Sequence, residues 1–443
     1  MSTNTCLTSS VLLSDKENVG CVSLRDLIYR DDLISMVQIN FMVDIDFLMS
    51  NVKNKDIPIT VVHGLRESAR LLIEQGKKWP NMTIGTPRIQ DRYGVHHTKA
   101  MILCFKDESI QLIVMTANMV PQDWQVMTQG VYRSPKCFLK TKDLGLSSST
   151  NASPFESDLI KYLRAYNLPC LTATIMLISR YNWSLCKAIL IASVPGYHRQ
   201  TESSFSNWGL ERLAYVLRQH VTLPAYNCHK SQIIIQCSSM PHSPEKWFKE
   251  QVCRTMAEFK NRRSALSIKA PHVCVIYPTI TTATNSFTGR DMSGDFLRFE
   301  KASYDKNHAW FDPYLYDWKS EHAGRQFLMP HIKTYTRTYQ DKNGKTRIAW
   351  HLLSSANLSR AAWGEYQKNK TQIYIKSFEL GVFFCPSLWD NNEENIDLIP
   401  FNDLDSAQED SSGTEVTQIK VRLPYDLPLV HHSQPLQCFT RLA

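Results

Sequence analysis

Two short stretches carry side chains able to act on an anion: His96-His97-Thr98-Lys99 and Met329-Pro330-His331-Ile332-Lys333. Each contains His-x-Lys. Each is followed by Ser/Thr-Ala-Asn, as Thr116-Ala117-Asn118 and Ser355-Ala356-Asn357, and then by a tryptophan six residues past the asparagine, Trp124 or Trp363. His97 lies 21 residues before Asn118, and His331 lies 26 before Asn357. A fixed ammonium beside an imidazole suits an anion that the imidazole attacks or protonates, and an asparagine amide adds donors for further oxygens. Two such sets facing each other place two His, two Lys and two Asn around one tetrahedral phosphate. Phosphoryl transfer demands positioning and charge stabilisation, and this set meets both with no metal and no cofactor. One imidazole must be neutral and nucleophilic while the other, protonated, donates to the leaving oxygen; coupled groups with split pKa values do this near neutral pH. A lone His-x-Lys is usually accidental, but a duplicate with matching Asn and Trp is a domain-sized repeat.

The repeat dictates what must hold these groups. On a strand, residues i and i+2 share a face, so His97 points with Lys99 and His331 with Lys333. His96 falls on the opposite face, as a packed neighbour. Strands are expected at 35–43 and 57–62, a helix at 65–75, and a hairpin at 101–105 and 110–115 around the polar turn 106–109. A surface loop follows at 134–153 and a helix at 156–166; the chain passes into its second half near 182–185. There, strands at 188–193, 232–237 and 272–278 alternate with helices at 208–219 and from Ser243-Pro244 to about 259, where Pro after Ser is a helix start. A loop at 279–295 and an aromatic helix at 303–320 precede a hairpin that turns at 341–345 and returns over 347–353. A second apolar hairpin is expected at 371–385, and an acidic solvated loop at 402–415. The domains read as a flexible N-terminus over 1–20, one unit over 21–185 and another over 186–443. The fold class is α/β: two similar α-β-α sandwich domains related by pseudo-two-fold symmetry.

Bulk properties narrow the partners. The chain has 443 residues, 43% apolar and 21% charged, with a net charge of +8 that suits an anionic partner such as nucleic acid. Its 12 cysteines form no Cys-x-x-Cys pair and no zinc-spaced Cys/His cluster, so neither a metal nor a disulfide framework is expected. The first 20 residues lack a basic region followed by an apolar core, and no apolar run approaches ~18 residues; neither a signal peptide nor a membrane span is expected. A reducing intracellular compartment follows. The thin basic cluster at 260–263 reads as a helix surface.

The arrangement resembles the phospholipase D superfamily, whose usual signature adds an Asp five residues after the Lys. Here Cys104 and Thr338 stand at those positions. His-x-Lys with a distant Asn is instead similar to the tyrosyl-DNA phosphodiesterase family. That resemblance extends through Asp123-Trp124, Thr128-Gln129-Gly130, Ala361-Ala362-Trp363-Gly364, Glu379-Leu380-Gly381 and Pro424-Tyr425-Asp426-Leu427-Pro428, from about Val22 to Pro428. It implies that His97 attacks the phosphorus of a DNA 3′-phosphotyrosyl link to form a phosphohistidine, that His331 protonates the departing tyrosine and then activates water, and that Lys99, Lys333, Asn118 and Asn357 hold the phosphate oxygens. It further implies that Gln129 and Glu379 orient the histidines, that Ser238, Ser239 and Ser359 offer hydroxyls to the DNA backbone, and that Tyr93 stacks on a base. The implied partners are single- or double-stranded DNA bearing a 3′ adduct and a topoisomerase I-derived peptide. A monomer acting in the nucleus, with the cytoplasm as a second location, is expected. Two other readings stay open: an end-binding protein with impaired turnover, and a general phospholipase D-like phosphodiesterase. The tail after Pro428 has no Trp, unlike the aromatic-rich ending of the family.

Overall fold

A computed structural model describes residues 1–140, 152–224, 231–240, 244–260, 270–389, 396–401, 416–432 and 439–440. The first half holds β1 (Thr5–Leu7), β2 (Leu33–Asn40), β3 (Ile59–His63), β4 (Met82–Gly85), β5 (Ala100–Phe105), β6 (Ile110–Met115) and β7 (Gly130–Arg133). The second holds β8 (Ile189–Ser193), β9 (Gly196–Arg199), β10 (Gln232–Gln236), β11 (His272–Ile276), β12 (Leu315–Tyr316), β13 (Thr334–Gln340), β14 (Thr346–Ser354), β15 (Glu365–Gln367), β16 (Gln372–Ile375) and β17 (Glu379–Phe384). The first sheet runs β1-β7-β6-β5-β2-β3-β4, and the path of the second, read from its other end, is β8-β17-β14-β13-β10-β11-β12. Pairing senses agree strand for strand: β2, β3 and β4 are parallel, as are β10, β11 and β12, and every other step is antiparallel. The His-x-Lys repeat therefore belongs to a duplicated sheet.

Strand alternation explains how the first sheet is buried on both faces. Ala100, Ile102 and Cys104 of β5 and Ile110, Leu112 and Val114 of β6 join a core shared with the second sheet, through Leu190, Val382 and Phe384. Helix Pro154–Ala165 adds Phe155, Leu159, Tyr162 and Leu163 to that core. The intervening residues Met101, Leu103, Phe105, Ile113 and Met115 face a second core closed by Leu24, Leu27, Leu48 and Met49. At roughly 25 cal/mol per Å² of apolar area buried, this central layer is the main stabilising term, and it fixes the halves relative to each other.

Several expectations are corrected. Residues 1–20 are not a loose lead-in: β1 pairs with β7, and Leu7 and Thr8 are buried. His-x-Lys lies just ahead of β5 and β13 rather than on them, where the extended chain still puts the two side chains on one side. The expected loop at 279–295 contains two short helices, Ile280–Thr284, capped by the Thr279 side chain, and Gly289–Phe296. The 303–320 helix ends at Phe311, before Pro313. The apolar stretch 371–385 is not a hairpin, because β16 joins a separate small sheet, β15-β16-β9, while β17 lies between β14 and β8. Helix Glu245–Trp247 begins after Pro244, and Ser243, most of 147–153, the basic residues 262–263 and the acidic 402–415 lie outside the described residues. No described helix is long and apolar enough to cross a membrane.

Candidate active site

The two motifs are brought together by exchanged backbone contacts. The Phe378 N–H donates to the Val95 carbonyl and the His97 N–H to the Phe378 carbonyl at 2.9 Å, so the approach to the first motif runs beside the second half. Reciprocally, His331 and Ile332 N–H donate to the Thr128 carbonyl, and the Thr128 hydroxyl donates to the Leu328 carbonyl at 2.9 Å. Glycine makes this approach possible. A Cβ on Gly94 would sit 2.1 Å from the Lys376 carbonyl oxygen, and one on Gly130 would meet Leu353 and Ile332 at under 3 Å.

Because of this exchange, the residue after each contact point supports the other half's histidine. Glu379 follows Phe378, and its Oε2 lies 2.9 Å from His97 Nδ1. Gln129 follows Thr128, and its Nε2 lies 2.9 Å from His331 Nδ1. Each support is itself oriented. Ser355 Oγ accepts from Leu380 N–H and so donates its proton to Glu379 Oε2 at 2.5 Å. Thr116 Oγ1 accepts from Gly130 N–H and donates to Gln129 Oε1 at 2.7 Å, which turns the amide nitrogen toward His331. With the Nδ1–H given to the Glu379 carboxylate, the lone pair of His97 is at Nε2, the tautomer a nucleophile needs.

Sequence reasoning assigned no role to Asp123. Its Oδ2 accepts from Asn118 N–H at 2.7 Å, from the Gln129 amide at 2.9 Å and from Asn118 Nδ2 at 3.2 Å, and lies 3.1 Å from His331 Nδ1. A signal was available: Asp123 stands before Trp124 where the other copy has Ala362 before Trp363, and an acidic residue one position from a buried Trp needs a partner.

Both lysines are fully buried, and each folds back to donate to the carbonyl of its own histidine, Lys99 to His97 at 2.8 Å and Lys333 to His331. The Asn357 side-chain oxygen accepts from the Ser238 and Ser239 N–H groups at 3.1 and 3.0 Å, so its NH2 stays available to a ligand. The Asn118 NH2 shares Asp123, and its Oδ1 is buried with no partner.

Burial shapes the charges. Desolvation, then the positive charge of Lys333, pushes His331 down to about 3. Desolvation also lowers His97, against the opposing pull of Glu379. Lys99 is lowered by burial to about 8, and Lys333 falls well below its ordinary value through burial and the nearby Lys99 charge. Burial works against ionised Asp123 and Glu379, but the surrounding cationic and hydrogen-bonding groups outweigh it and hold both carboxyls below their usual range. Burial thus favours neutral imidazoles beside two lysines that disfavour each other's charge. An anion entering the site offsets that repulsion and raises the affinity of His331 for a proton.

The other expected site residues separate. Tyr93 is 62% exposed, close to Arg92 and Lys376. Ser238 is buried with its hydroxyl 3.3 Å from Asn357 Oδ1, and Ser239 is half-buried. Ser359 is buried and caps helix Arg360–Trp363 by accepting from Ala362 N–H, which leaves its own proton to donate. His96 faces away from the site, with Nε2 3.0 Å from the Tyr166 hydroxyl.

The sequence profile of the tyrosyl-DNA phosphodiesterases matches residues 5–433. Tyrosyl-DNA phosphodiesterase 1 of Arabidopsis thaliana is 34% identical over 397 residues, covering 85% of this chain and 60% of the relative, so this chain spans about three-fifths of that protein's length. Tyrosyl-DNA phosphodiesterase 1 of Drosophila melanogaster is 29% identical over 422 residues, with 91% and 67% covered. The crystal structure of the yeast tyrosyl-DNA phosphodiesterase has the same fold, with a TM-score of 0.71 at 17% identity and 99% of each chain covered. Duplicated sheets with a His-x-Lys at the head of each define a phospholipase D-like α/β protein. Within that class the chain belongs to the tyrosyl-DNA phosphodiesterase family.

Proposed function

We propose that this chain is a DNA-repair phosphodiesterase that hydrolyses the 3′-phosphotyrosyl bond left by a stalled topoisomerase I, and related blocked 3′ ends, acting as a monomer in the nucleus. The observation that carries the reading is the crossed support: His97 on Glu379, and His331 on Gln129 and Asp123, beside two buried lysines. The charge of the bound phosphodiester raises the proton affinity of His331, which takes a proton from solvent and directs its Nδ1–H to Asp123. His97 Nε2 attacks phosphorus and the P–O bond to tyrosine breaks, with the His331 Nε2 proton going to the phenolate oxygen. The products of this step are phosphohistidine and free tyrosine. His331, now neutral, takes a proton from water; the hydroxide displaces His97, the P–N bond breaks, and a 3′-phosphate leaves. Lys99, Lys333 and the Asn357 amide face the growing negative charge on the equatorial oxygens.

The test is a 5′-labelled single strand ending in 3′-phosphotyrosine, incubated with purified protein in EDTA. Conversion to a 3′-phosphate is expected, abolished by His97→Ala, with a covalent DNA adduct accumulating on His331→Asn. Folded wild type that binds the oligonucleotide without cleaving it would leave only an end-binding protein. Cleavage of a phospholipid in place of DNA would favour the general phosphodiesterase. Imaging of the tagged chain and its sedimentation test the nuclear and monomeric parts.

A further inference from the structure

The small sheet β15-β16-β9 gives the active site a neighbour that the reaction itself does not use. Its inner face is apolar, with Ile373 and Ile375 fully buried. Its other face carries, in pairing register, Tyr374 opposite Tyr197 and, beyond them, Arg199 opposite Gln372, whose side chain is itself buried. The two tyrosine rings are stacked, with centroids 4.2 Å apart and planes at 19°, and Tyr197 is 53% exposed. Tyr374 is half-buried beneath it, so the exposed ring of the pair is that of Tyr197.

This face is continuous with the catalytic motif. Residues 376–379 run beside 94–97, so the chain that ends at Glu379 on His97 leads back to Lys376 and Tyr374. Lys376 Nζ lies 5.1 Å from the Tyr93 ring centroid and 5.8 Å from that of Tyr374. Asp91 ties the turn together, accepting from the Tyr374 hydroxyl and the Tyr93 N–H, both at 2.7 Å, and pairing with Lys376 at 3.3 Å. At the far end, Arg199 and Lys368 line an open hollow of about 330 Å³ with Thr201 and Gln372. The Arg199 ion pair with Glu202 is long, at 3.5 Å, and exposed, so a phosphate can compete for the guanidinium.

Successive aromatic faces interleaved with cations are what a single strand needs: each base has a face to stack, and the backbone follows the positive charge. We propose that this face is a track for the single-stranded DNA lying 5′ to the scissile phosphate. One base stacks on the outer side of Tyr197, and a backbone phosphate sits between Arg199 and Lys368. Five residues separate Glu379 from Tyr374, a span of at most roughly 16 Å at ~3.3 Å per residue, because the chain bends at Ser377. That is about five nucleotides at the ~3.4 Å per-strand spacing of stacked bases. The proposal rests on the phosphodiesterase reading above and adds a strand-length requirement to it.

The test uses the full chain and 3′-phosphotyrosyl strands from two to about twelve nucleotides. For wild type, KM should fall once the strand exceeds about five nucleotides. Tyr197→Ala should raise KM about tenfold for the longest strand at unchanged kcat, while the dinucleotide, too short to reach the ring, serves as reference. Tyr197→Trp should restore the low KM, and Arg199→Gln should flatten the salt dependence by about 0.7 in log–log slope. A wild-type KM independent of length, or an equal effect of Tyr197→Ala on short and long strands, overturns the track. A KM that responds instead to lengthening of the attached peptide overturns it too, and assigns the face to the peptide. If no strand is cleaved at all, the catalytic reading is what fails. Binding of unmodified oligonucleotides, followed by anisotropy, then decides the track by the same length dependence.

Discussion

The two halves of the site reach similar ends by different groups. Pseudo-equivalent positions after the exchanged contacts hold Glu379 in one half and Gln129 in the other, each oriented by an equivalent hydroxyl, Ser355 or Thr116. His97 thus meets a carboxylate directly. His331 meets an amide there, and its carboxylate, Asp123, comes from the turn before Trp124, where the other half has Ala362. The difference fits the roles proposed for the two histidines. One carboxylate fixes a single tautomer, which suits a nucleophile that stays neutral until it bonds to phosphorus. An amide beside a carboxylate suits an imidazole that must be charged in one step and neutral in the next, because Asp123 can accept from the imidazolium while Gln129 holds the ring in place.

Making the halves alike should therefore break the reaction unevenly. Glu379→Gln puts an amide on both histidines and releases the His97 tautomer; single-turnover cleavage should slow by about ten-thousandfold, as loss of a histidine-orienting carboxylate does elsewhere. Asp123→Asn should cost about a hundredfold and retard the second step as well, so covalent adduct on denaturing gels should exceed that of Glu379→Gln. Equal adduct in both variants would remove the distinction between the halves.

The pH profile sharpens the comparison further. His97 must be neutral and its pKa is depressed, so activity persists below the ordinary imidazole value near 6.5, and the acid limb of kcat/KM should lie under it. Lys99, Lys333 and His331 must all be charged and burial lowers each, so the alkaline limb should begin no higher than about 8, where Lys99 titrates, instead of near 10. An acid limb at or above 6.5 would contradict a buried, carboxylate-held nucleophile. The smallest effect concerns stability. A lysine whose folded pKa lies well below its unfolded value destabilises the fold at neutral pH, and that penalty is relieved as pH rises from the folded toward the unfolded value. Lys333→Met should abolish turnover yet raise the melting temperature by about a few degrees at pH 7, and this gain should shrink at pH 10.

Much of this was legible because the repeat is written locally. His-x-Lys, Asn and Trp recur at similar spacing, and the β5–β6 hairpin is set by alternating apolar residues around a polar turn. The i, i+2 rule placed Lys99 with His97 and His96 away from it, and the geometry carries both. Periodicity failed where partners come from far along the chain. The segment 371–385 has a hairpin's apolar pattern, but β16 and β17 each find a better neighbour, β9 and β14. Thr5–Leu7 looks too polar and too short to fold alone, yet it completes the edge beside β7.

The amino-acid sequence by itself determined the reactive groups and their duplication, since covalent spacing and side-chain chemistry are local properties. Only the tertiary structure decided which support serves which histidine, that Asp123 belongs to the site, and that a tyrosine pair lies next to it. Those pairings span more than 200 residues between Asp123 and His331 and more than 280 between His97 and Glu379. They are set by the backbone exchange at Phe378 and Thr128, which exists only once the two sheets have packed on their shared core.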